Sequence, residues 1–206
     1  MASNTPATEL SLFPLQTVLF PGGFLSLKVF EARYVDLIAG CLRERRSFGV
    51  VALRAGHEAR RREDGGHFET IGTVAELIDV DSDLSGILMV RCRGAQRFVI
   101  SSSRQQTDAL WLAHTLPLAD DAVLAPTPAL LEAVRGLASA ITALKGRSAA
   151  TFLEPHRLDD AGWVANRWCE ILPISLVAKQ KLMELPDPMV RLQLVDDFLR
   201  SRGVVK

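Results

Sequence analysis

"LFPGGFLSLKVFEARY", residues 19–34, places a proline and two glycines before an alternating apolar run, and then the start of a helix. Pro21 and Gly22 suit the two central positions of a type II turn, because proline fixes its own φ and glycine accepts the positive φ that follows. The residues after the turn alternate as in a half-buried strand, with the apolar face formed by Leu25, Leu27 and Val29 and the polar face by Ser26 and Lys28. The stretch therefore predicts a turn that leads into a strand.

A helix is expected next, from about Glu31 to Arg46. Its apolar positions recur every three or four residues, as in a single buried stripe, at Tyr34, Leu37, Ile38, Cys41 and Leu42. Glu31 lies at the positive end of the helix dipole, and Arg43, Arg45 and Arg46 lie at its negative end. Both charge placements favour this helix.

The strand period continues from Glu9 to Leu116, and it predicts further strands at "FGVVALR", "IGTVAELIDV", "ILMVRCR", "QRFVIS" and "LWLAHTL". Asp81 to Gly86 supplies a turn between two of these strands, and Gly94 marks a bulge or a sharp bend. One helix among about seven strands indicates a closed or nearly closed sheet, because a barrel leaves few strand edges bare.

The helical period replaces the strand period from Thr127 to Arg202, after a linker-like segment "PLADDAVLAPTP". Four helices are expected, and the residues predicted to open them are Thr127 with Pro128, Asp159, Ser175 and Asp187 with Pro188. Gly146 is expected to end the first helix. The inward face predicted for the last helix consists of Val190, Leu194, Val195, Phe198 and Leu199. The chain is therefore expected to have a β domain at 1–118 and a helical bundle at 119–206.

Composition narrows the class of protein. The 206 residues carry 24 basic and 24 acidic side chains, so the chain lacks the basic surplus typical of nucleic-acid binding. We expect a cytoplasmic protein without membrane contact, since no leader and no apolar run of about 18 residues is present. Cys41, Cys92 and Cys169 are odd in number, far apart and never in a Cys-x-x-Cys pair, which argues against a disulfide framework and against a zinc knuckle.

Motifs for catalysis are missing from the sequence. It contains no Gly-Lys-Ser/Thr phosphate loop, no His-Glu-x-x-His pair and no Gly-x-Ser-x-Gly turn. We therefore predict no catalytic residue, no metal and no cofactor. The segment "RAGHEARRREDGGHFE", residues 54–69, concentrates charge of both signs and is expected to be a solvated loop that could flank a ligand. Converging His114, Cys92 or Asp79 in a deep polar pocket would instead indicate an enzyme or a small-molecule site.

Several motifs together carry a family resemblance. "LFPLQTVLFPGGFLSLKVFEARY" resembles the opening of the Lon protease N-terminal (substrate-binding) domain, with its Phe-Pro-Gly turn and Phe-Glu-x-Arg-Tyr motif. "RRSFGVVAL", "IGTVAELIDV", "VRCRGAQRFVI" and "WCEILPISLVAKQKLMELPDPMVRLQLVDDFL" resemble later parts of the same domain, in the family's order. The resemblance implies an α+β fold, in which a PUA-like six-stranded β pseudo-barrel with one inserted helix precedes a C-terminal helical bundle.

The resemblance also implies a function. Lon proteases continue into an ATPase module and a Ser-Lys protease domain, whereas this chain ends at Lys206, so a stand-alone and non-catalytic copy of the recognition domain is expected. Its implied partners are polypeptide substrates, such as unfolded proteins, or a specific protein partner. An RNA-binding PUA-like domain and a small-molecule-binding protein stay open as alternatives, although the lack of a basic surplus disfavours RNA.

Most residues that match the family motifs are expected to be structural: Pro21, Gly22, Phe30, Glu31, Arg33, Tyr34, Gly72, Arg93, Gly94 and Arg97. Phe30 and Tyr34 lie one turn apart and are expected to pack against the sheet. Glu31 is expected to accept hydrogen bonds from a strand arginine, Arg93 or Arg97. Glu31→Ala should therefore destabilise the fold more than it weakens binding of any ligand.

A polypeptide would bind at an apolar patch, at an open strand edge, or in the groove between the two domains. Strand addition suits an unfolded chain, because such a chain offers extended backbone. The candidate contact residues are aromatic: Phe24 at the turn, Phe68 beside the charged loop, and Trp111.

Overall fold

The computed structural model describes residues 7–54, 67–82, 86–145 and 152–205. The chain forms two compact units, Met1–Ala119 and Asp120–Lys206. Most of the predicted charged loop, the centre of the turn predicted at 81–86 and the helix end predicted at Gly146 lie outside the described residues.

The described residues of the first unit form six strands and one helix. In chain order these are β1 (Thr8–Leu15), β2 (Phe24–Val29), α1 (Ala32–Glu44), β3 (Phe48–Ala52), β4 (Ile71–Ser82), β5 (Leu88–Gln105) and β6 (Trp111–Pro117). The strands pair in the order β2-β5-β4-β3-β1-β6, and β5 pairs with β6 as well. That last pairing closes β5, β4, β3, β1 and β6 into a ring, and β2 extends the sheet outside it. The β1–β3 pair is parallel, and the other pairs are antiparallel.

The ring closes because β5 changes partner along its 18 residues. Its first part pairs with β2 as far as Arg93, and its second part pairs with β6 from Phe98 onward. Between them the register against β4 shifts, since Ala75 faces Gly94 whereas Thr73 faces Arg97. The bulge or bend predicted at Gly94 is confirmed, but the expectation of about seven strands is wrong, since "ILMVRCR" and "QRFVIS" form the single strand β5.

The Phe-Pro-Gly turn has the predicted geometry. Gly22 has φ +72°, and the Gly23 amide donates to the Phe20 carbonyl at 2.9 Å, as a type II turn requires. The turn then crosses β5 in direct backbone contact: the Gly22 amide donates to the Gly94 carbonyl at 2.7 Å, and the Gly94 amide donates to the Gly23 carbonyl at 2.9 Å. A side chain at Gly94 would meet the Phe20 carbonyl oxygen at 2.2 Å, so only glycine fits there.

Helix α1 packs its apolar stripe on the sheet. Tyr34, Leu37, Ile38 and Cys41 are buried in one core cluster with strand residues such as Phe13, Phe48 and Val90. A second cluster contains Leu12, Val51, Phe68, Phe98 and Ala113. Leu42 was expected in the helix stripe but is 51% exposed, because the buried stripe of this helix is only wide enough for the other positions.

The second unit is helical. After a short 3-10 turn (Pro128–Leu130) come α2 (Leu131–Lys145), α3 (Ala161–Ile171), α4 (Leu176–Glu184) and α5 (Pro188–Ser201). Ser175 and Asp187 cap α4 and α5 through their side chains, as predicted. Helix α3 is capped by Asp160 instead of the predicted Asp159: the Asp160 carboxylate accepts from the Gly162 amide at 3.0 Å.

The inward face of α5 differs from the prediction. Val190 and Leu194 are 47% and 48% exposed, whereas Arg191 is buried. The Arg191 guanidinium donates to the Asp121 carboxylate at 2.5 and 3.2 Å, to Asn166 at 3.1 Å, and to main-chain carbonyls. Because these acceptors replace water, an arginine can occupy a core position that an apolar pattern assigns to valine. Among the described residues, no helix has the length and apolarity needed to cross a membrane.

Candidate functional site

The aromatic residues proposed as contacts do not form one surface. Phe68 is only 6% exposed, and its ring meets the Trp111 ring edge-on, with the centroids 5.3 Å apart. Both rings belong to or pack against the second core cluster, so Phe68 packs in the core and offers little surface to a ligand. Phe24 is half-buried at the start of β2, opposite Arg93 of β5. Of the three residues, Phe24 alone lies beside an open strand edge.

The Phe-Glu-x-Arg-Tyr motif organises the start of α1 through Arg33. Its guanidinium donates to Glu31 at 3.0 and 2.6 Å and to the Ala109 carbonyl at 3.0 Å, and it lies 4.7 Å above the Tyr34 ring. The Tyr34 ring stacks on Phe13 with the centroids 4.0 Å apart. Arg33 thereby ties the helix start to the turn between β5 and β6.

Two expectations for this motif are wrong. Glu31 pairs with Arg33, whereas Arg93 donates to Glu76 at 2.7 Å and Arg97 donates to the Ala119 carbonyl at 3.2 Å. Arg33 is two residues from Glu31 and reaches its carboxylate locally. Phe30 does not pack on the sheet but is 71% exposed, because the chain leaves β2 there.

The two cysteine thiols and the tyrosine of the first unit lack the lowered pKa that is typical of reactive groups. Burial raises the pKa of the Cys92 thiol to about 12 and also raises the pKa of Cys41 and of Tyr34, although Arg33 partly opposes the shift at Tyr34. These thiols stay protonated and are poor nucleophiles near neutral pH.

His114, Cys92 and Asp79, the group that would have indicated an enzyme, do not converge. Cys92 is fully buried, Asp79 pairs with Arg91 at 3.2 Å, and His114 is exposed on β6 beside Glu9. In the described parts of the chain, no group of three or more His, Cys, Asp or Glu side chains could hold a metal ion. A pocket of about 440 Å³ lies at the end of α1, lined by residues such as Cys41, Arg45, Arg46 and Glu76.

Among the described strands, β2 has a regular edge without a partner strand. Strand β2 pairs with β5 over six consecutive residues, from Phe24 opposite Arg93 to Val29 opposite Leu88, without a register shift. No other described strand pairs with β2. Alternate residues of such a strand direct their amide and carbonyl groups outward, where a further strand can bind them. We call the outer side of Phe24–Val29, together with the adjoining Phe30, the β2 edge.

A second open stretch, on β4, is irregular. Strand β3 pairs with β4 only from Thr73 to Ala75, so β4 beyond Ala75 has no second partner among the described strands. The register against β5 shifts between Leu77 and Asp79, and the intervening Ile78 is 51% exposed. A bulge of this kind interrupts the row of outward hydrogen-bonding groups, so β4 is a poorer template for a new strand than β2.

The outer face of the sheet beside the β2 edge consists of three cross-strand rows, which run from β2 through β5 to β4: Phe24–Arg93–Glu76, Ser26–Arg91–Asp79 and Lys28–Met89–Asp81. In the first two rows the arginine forms an ion pair with the carboxylate of β4, at 2.7 and 3.2 Å. The Lys28 side chain is exposed and forms no ion pair or hydrogen bond with the described parts of the chain. Sequence reasoning placed Lys28 on the polar face of β2 but did not name it as a candidate contact residue, although the alternation of β2 was the available signal. It also did not predict that Phe30 is exposed.

Comparison with known proteins identifies the family. The ATP-dependent protease La (LON) substrate-binding domain matches residues 9–201. The crystal structure of the Lon N-terminal domain protein from Xanthomonas campestris is similar, with 30% sequence identity and a TM-score of 0.72, over 91% of this chain and 96% of that chain. The N-terminal domain of the Mycobacterium avium complex Lon protease has 16% identity and a TM-score of 0.63, over 92% of this chain and 97% of that chain, and shows the fold alone.

A full-length relative is similar as well. The Lon protease of Anaeromyxobacter dehalogenans (strain 2CP-C) is 26% identical over 204 residues, which are 96% of this chain but only 24% of that protein. The solved structures confirm the predicted α+β fold class with its six strands and C-terminal helices. Because the family match extends over nearly the whole sequence, this chain belongs to the family of the ATP-dependent protease La (LON) substrate-binding domain.

Proposed function

We propose that this chain is a non-catalytic module that binds extended polypeptide segments, such as those of unfolded proteins, by strand addition at the β2 edge. The single observation that carries the proposal is the open, regular six-residue edge of β2 in a member of a substrate-binding family. Main-chain hydrogen bonds to an edge do not depend on sequence, so this mode of binding suits a module that accepts many different segments.

The two ends of the β2 edge offer apolar contact. Phe30 is 71% exposed and Phe24 is half-buried, so a bound segment would cover the ring of Phe30 and part of the ring of Phe24. Burying a phenylalanine side chain contributes about 1.5–3 kcal/mol, and each main-chain hydrogen bond contributes about 0.5–1.5 kcal/mol. Ordering a flexible segment offsets much of this gain, so we expect weak and reversible binding.

RNA binding, an alternative function, has less support. Arg91 and Arg93 already pair with carboxylates, which disfavours an RNA-binding face on this sheet.

The three cysteines are free and buried, which agrees with a reducing compartment, and we propose the cytoplasm as the site of action.

The test uses a labelled, permanently unfolded protein titrated with this chain, with binding followed by fluorescence anisotropy. The native form of the same protein and a structured RNA serve as competitors, and neither should displace the probe. Phe30→Ser should weaken binding at least fivefold, whereas Val123→Ser, which changes a side chain of equal 71% exposure in the second unit, should not. Hydrogen exchange of the β2 amides should slow on binding. Equal affinity of the two variants, with unchanged exchange in β2, would refute this site.

A further inference from the structure

We propose, on the basis of the proposed function, that the β2 edge selects extended segments in which one acidic residue lies between two apolar residues at fixed spacing. Written for an antiparallel added strand, the segment is apolar–x–acidic–x–x–x–apolar. The first apolar residue faces Phe30, the acidic residue faces Lys28, and the last apolar residue faces Phe24. This pattern deepens the proposed function by naming the chemistry of the preferred segment.

The spacing follows from the pleat of β2. Leu25, Leu27 and Val29 point into or pack against the core, so the opposite face carries Phe24, Ser26 and Lys28, and the exposed Phe30 continues the alternation. Side chains directly opposite each other on paired strands have their Cβ atoms about 4.5–5.5 Å apart. Alternate side chains of an added strand would therefore lie beside Phe30, Lys28, Ser26 and Phe24 in turn.

The charge preference follows from the three cross-strand rows. The arginines of β5, Arg91 and Arg93, are each neutralised by a carboxylate from the side of β4. In the row of Lys28 the β5 residue is Met89, so the nearest acid in that row, Asp81, is two strands away from Lys28. An added strand would be the neighbour of Lys28 on its open side. An acidic side chain there gains an ion pair, and a basic side chain meets a like charge.

The expected selectivity is modest because Lys28 is exposed. An exposed ion pair corresponds to about a two- to fivefold difference in affinity between an acidic and a neutral residue at this position. Repulsion adds to the difference between an acidic and a basic residue, which should reach about tenfold at low salt. Added salt should reduce both differences, since exposed charges are screened.

Lys28 also has a simpler explanation. Lysine on an edge strand discourages pairing between copies of a protein, and this protective role requires no selection among bound segments. The two roles predict different results when the charge of residue 28 is reversed. A selective site should exchange its preference from acidic to basic segments, whereas a purely protective lysine should leave the order of segments unchanged and allow the chain to self-associate.

The experiment uses three labelled seven-residue peptides with phenylalanine at both apolar positions and aspartate, asparagine or lysine at the third position. Each is titrated with the wild-type chain, with Lys28→Glu and with Arg202→Glu, which makes the same charge change at an exposed residue of the second unit. Circular dichroism confirms folding, and light scattering reports the oligomeric state. We expect the wild type and Arg202→Glu to prefer aspartate over asparagine over lysine, and Lys28→Glu to reverse that order.

The outcomes separate the two proposals. If all three peptides bind the wild type equally, the selection by charge is wrong while strand addition stands. If none of them binds, both the selection and the β2 edge as the binding site are wrong. If Lys28→Glu forms dimers and the order of peptide affinities is unchanged, Lys28 serves only to prevent pairing between copies of the chain, and the proposed selection by charge is wrong.

Discussion

Gly94→Ala should destabilise the first unit by about 3 kcal/mol. The added Cβ would lie 2.2 Å from the Phe20 carbonyl oxygen and 3.1 Å from both the Phe20 carbonyl carbon and the Leu19 side chain. The closest of these atoms belongs to the backbone, which cannot rotate away as a side chain could. The Phe-Pro-Gly turn and β5 must therefore move apart.

The magnitude follows from what that movement breaks. Two hydrogen bonds hold the turn to Gly94, at 2.7 Å from the Gly22 amide and at 2.9 Å to the Gly23 carbonyl. Each contributes about 1 kcal/mol, and forcing an extra methyl into a packed site costs about 1–3 kcal/mol. The full sum is the upper limit, because strain is relieved to the extent that the hydrogen bonds are lost.

Gly40→Ala is the matched control. Its Cβ would lie 3.2 Å from the end of the Arg46 side chain, which can move, and the position is interior to α1. Alanine is favoured over glycine in a helix by about 0.5–1 kcal/mol, so this variant should be as stable as the wild type or more stable. The same chemical change is thus expected to have opposite signs at the two positions.

Urea denaturation followed by hydrogen-exchange mass spectrometry is the appropriate assay, because peptides from β5 and from α3 report on the two units separately. Gly94→Ala should lower the midpoint for β5 and leave the midpoint for α3 almost unchanged. An unchanged midpoint for β5, or an equal loss in Gly40→Ala, would show that the backbone contact at Gly94 does not limit stability.

Three further predictions concern single side chains. Arg33→Met should lower the free energy of unfolding by about 1–2 kcal/mol, and Glu31→Gln should lower it by at most about 1 kcal/mol, as measured by thermal unfolding. The reason is that Glu31 is half exposed in its ion pair, whereas Arg33 also donates to the Ala109 carbonyl. A larger loss in Glu31→Gln than in Arg33→Met would contradict the central role of Arg33. Arg191→Met should lower the free energy of unfolding of the second unit by about 3–5 kcal/mol, because it removes the buried guanidinium that pairs with the Asp121 carboxylate. Urea denaturation measures the loss, and a loss below about 1 kcal/mol would show that this ion pair does not stabilise the core. Cys92 and Cys169, whose pKa burial raises to about 12, should resist iodoacetamide at pH 8 until the chain unfolds, and mass spectrometry of labelled peptides would reveal any earlier modification.

Local sequence determined the parts of the fold whose cause is local. Proline and glycine at 21 and 22 specify the turn because their own backbone preferences match its dihedral angles. Ser175 and Asp187 specify helix starts because their side chains reach amides two or three residues away. The alternation of β2 likewise assigns Leu25, Leu27 and Val29 to the inner face.

The order of motifs along the chain determined the family and, through it, the α+β fold. The division into a β domain at 1–118 and a helical bundle at 119–206 stays a prediction. Spacing alone divided β5 into two strands, because the glycine that permits its bend also resembles a strand end. The pairing of the first part of β5 with β2 and of its second part with β6 shows that the two segments form one continuous strand.

Tertiary structure alone decided which side chains are accessible and which charges are paired. Phe30 is exposed and Phe68 is buried, although both are aromatic residues beside a strand or loop, because burial depends on which distant strands arrive to cover them. Arg191 occupies the core because Asp121, 70 residues earlier, supplies its carboxylate. Lys28 stays unpaired within the described parts of the chain because the β5 residue opposite it is methionine. A sequence pattern records the polarity of each residue, whereas the partners that make burial favourable come from elsewhere in the chain.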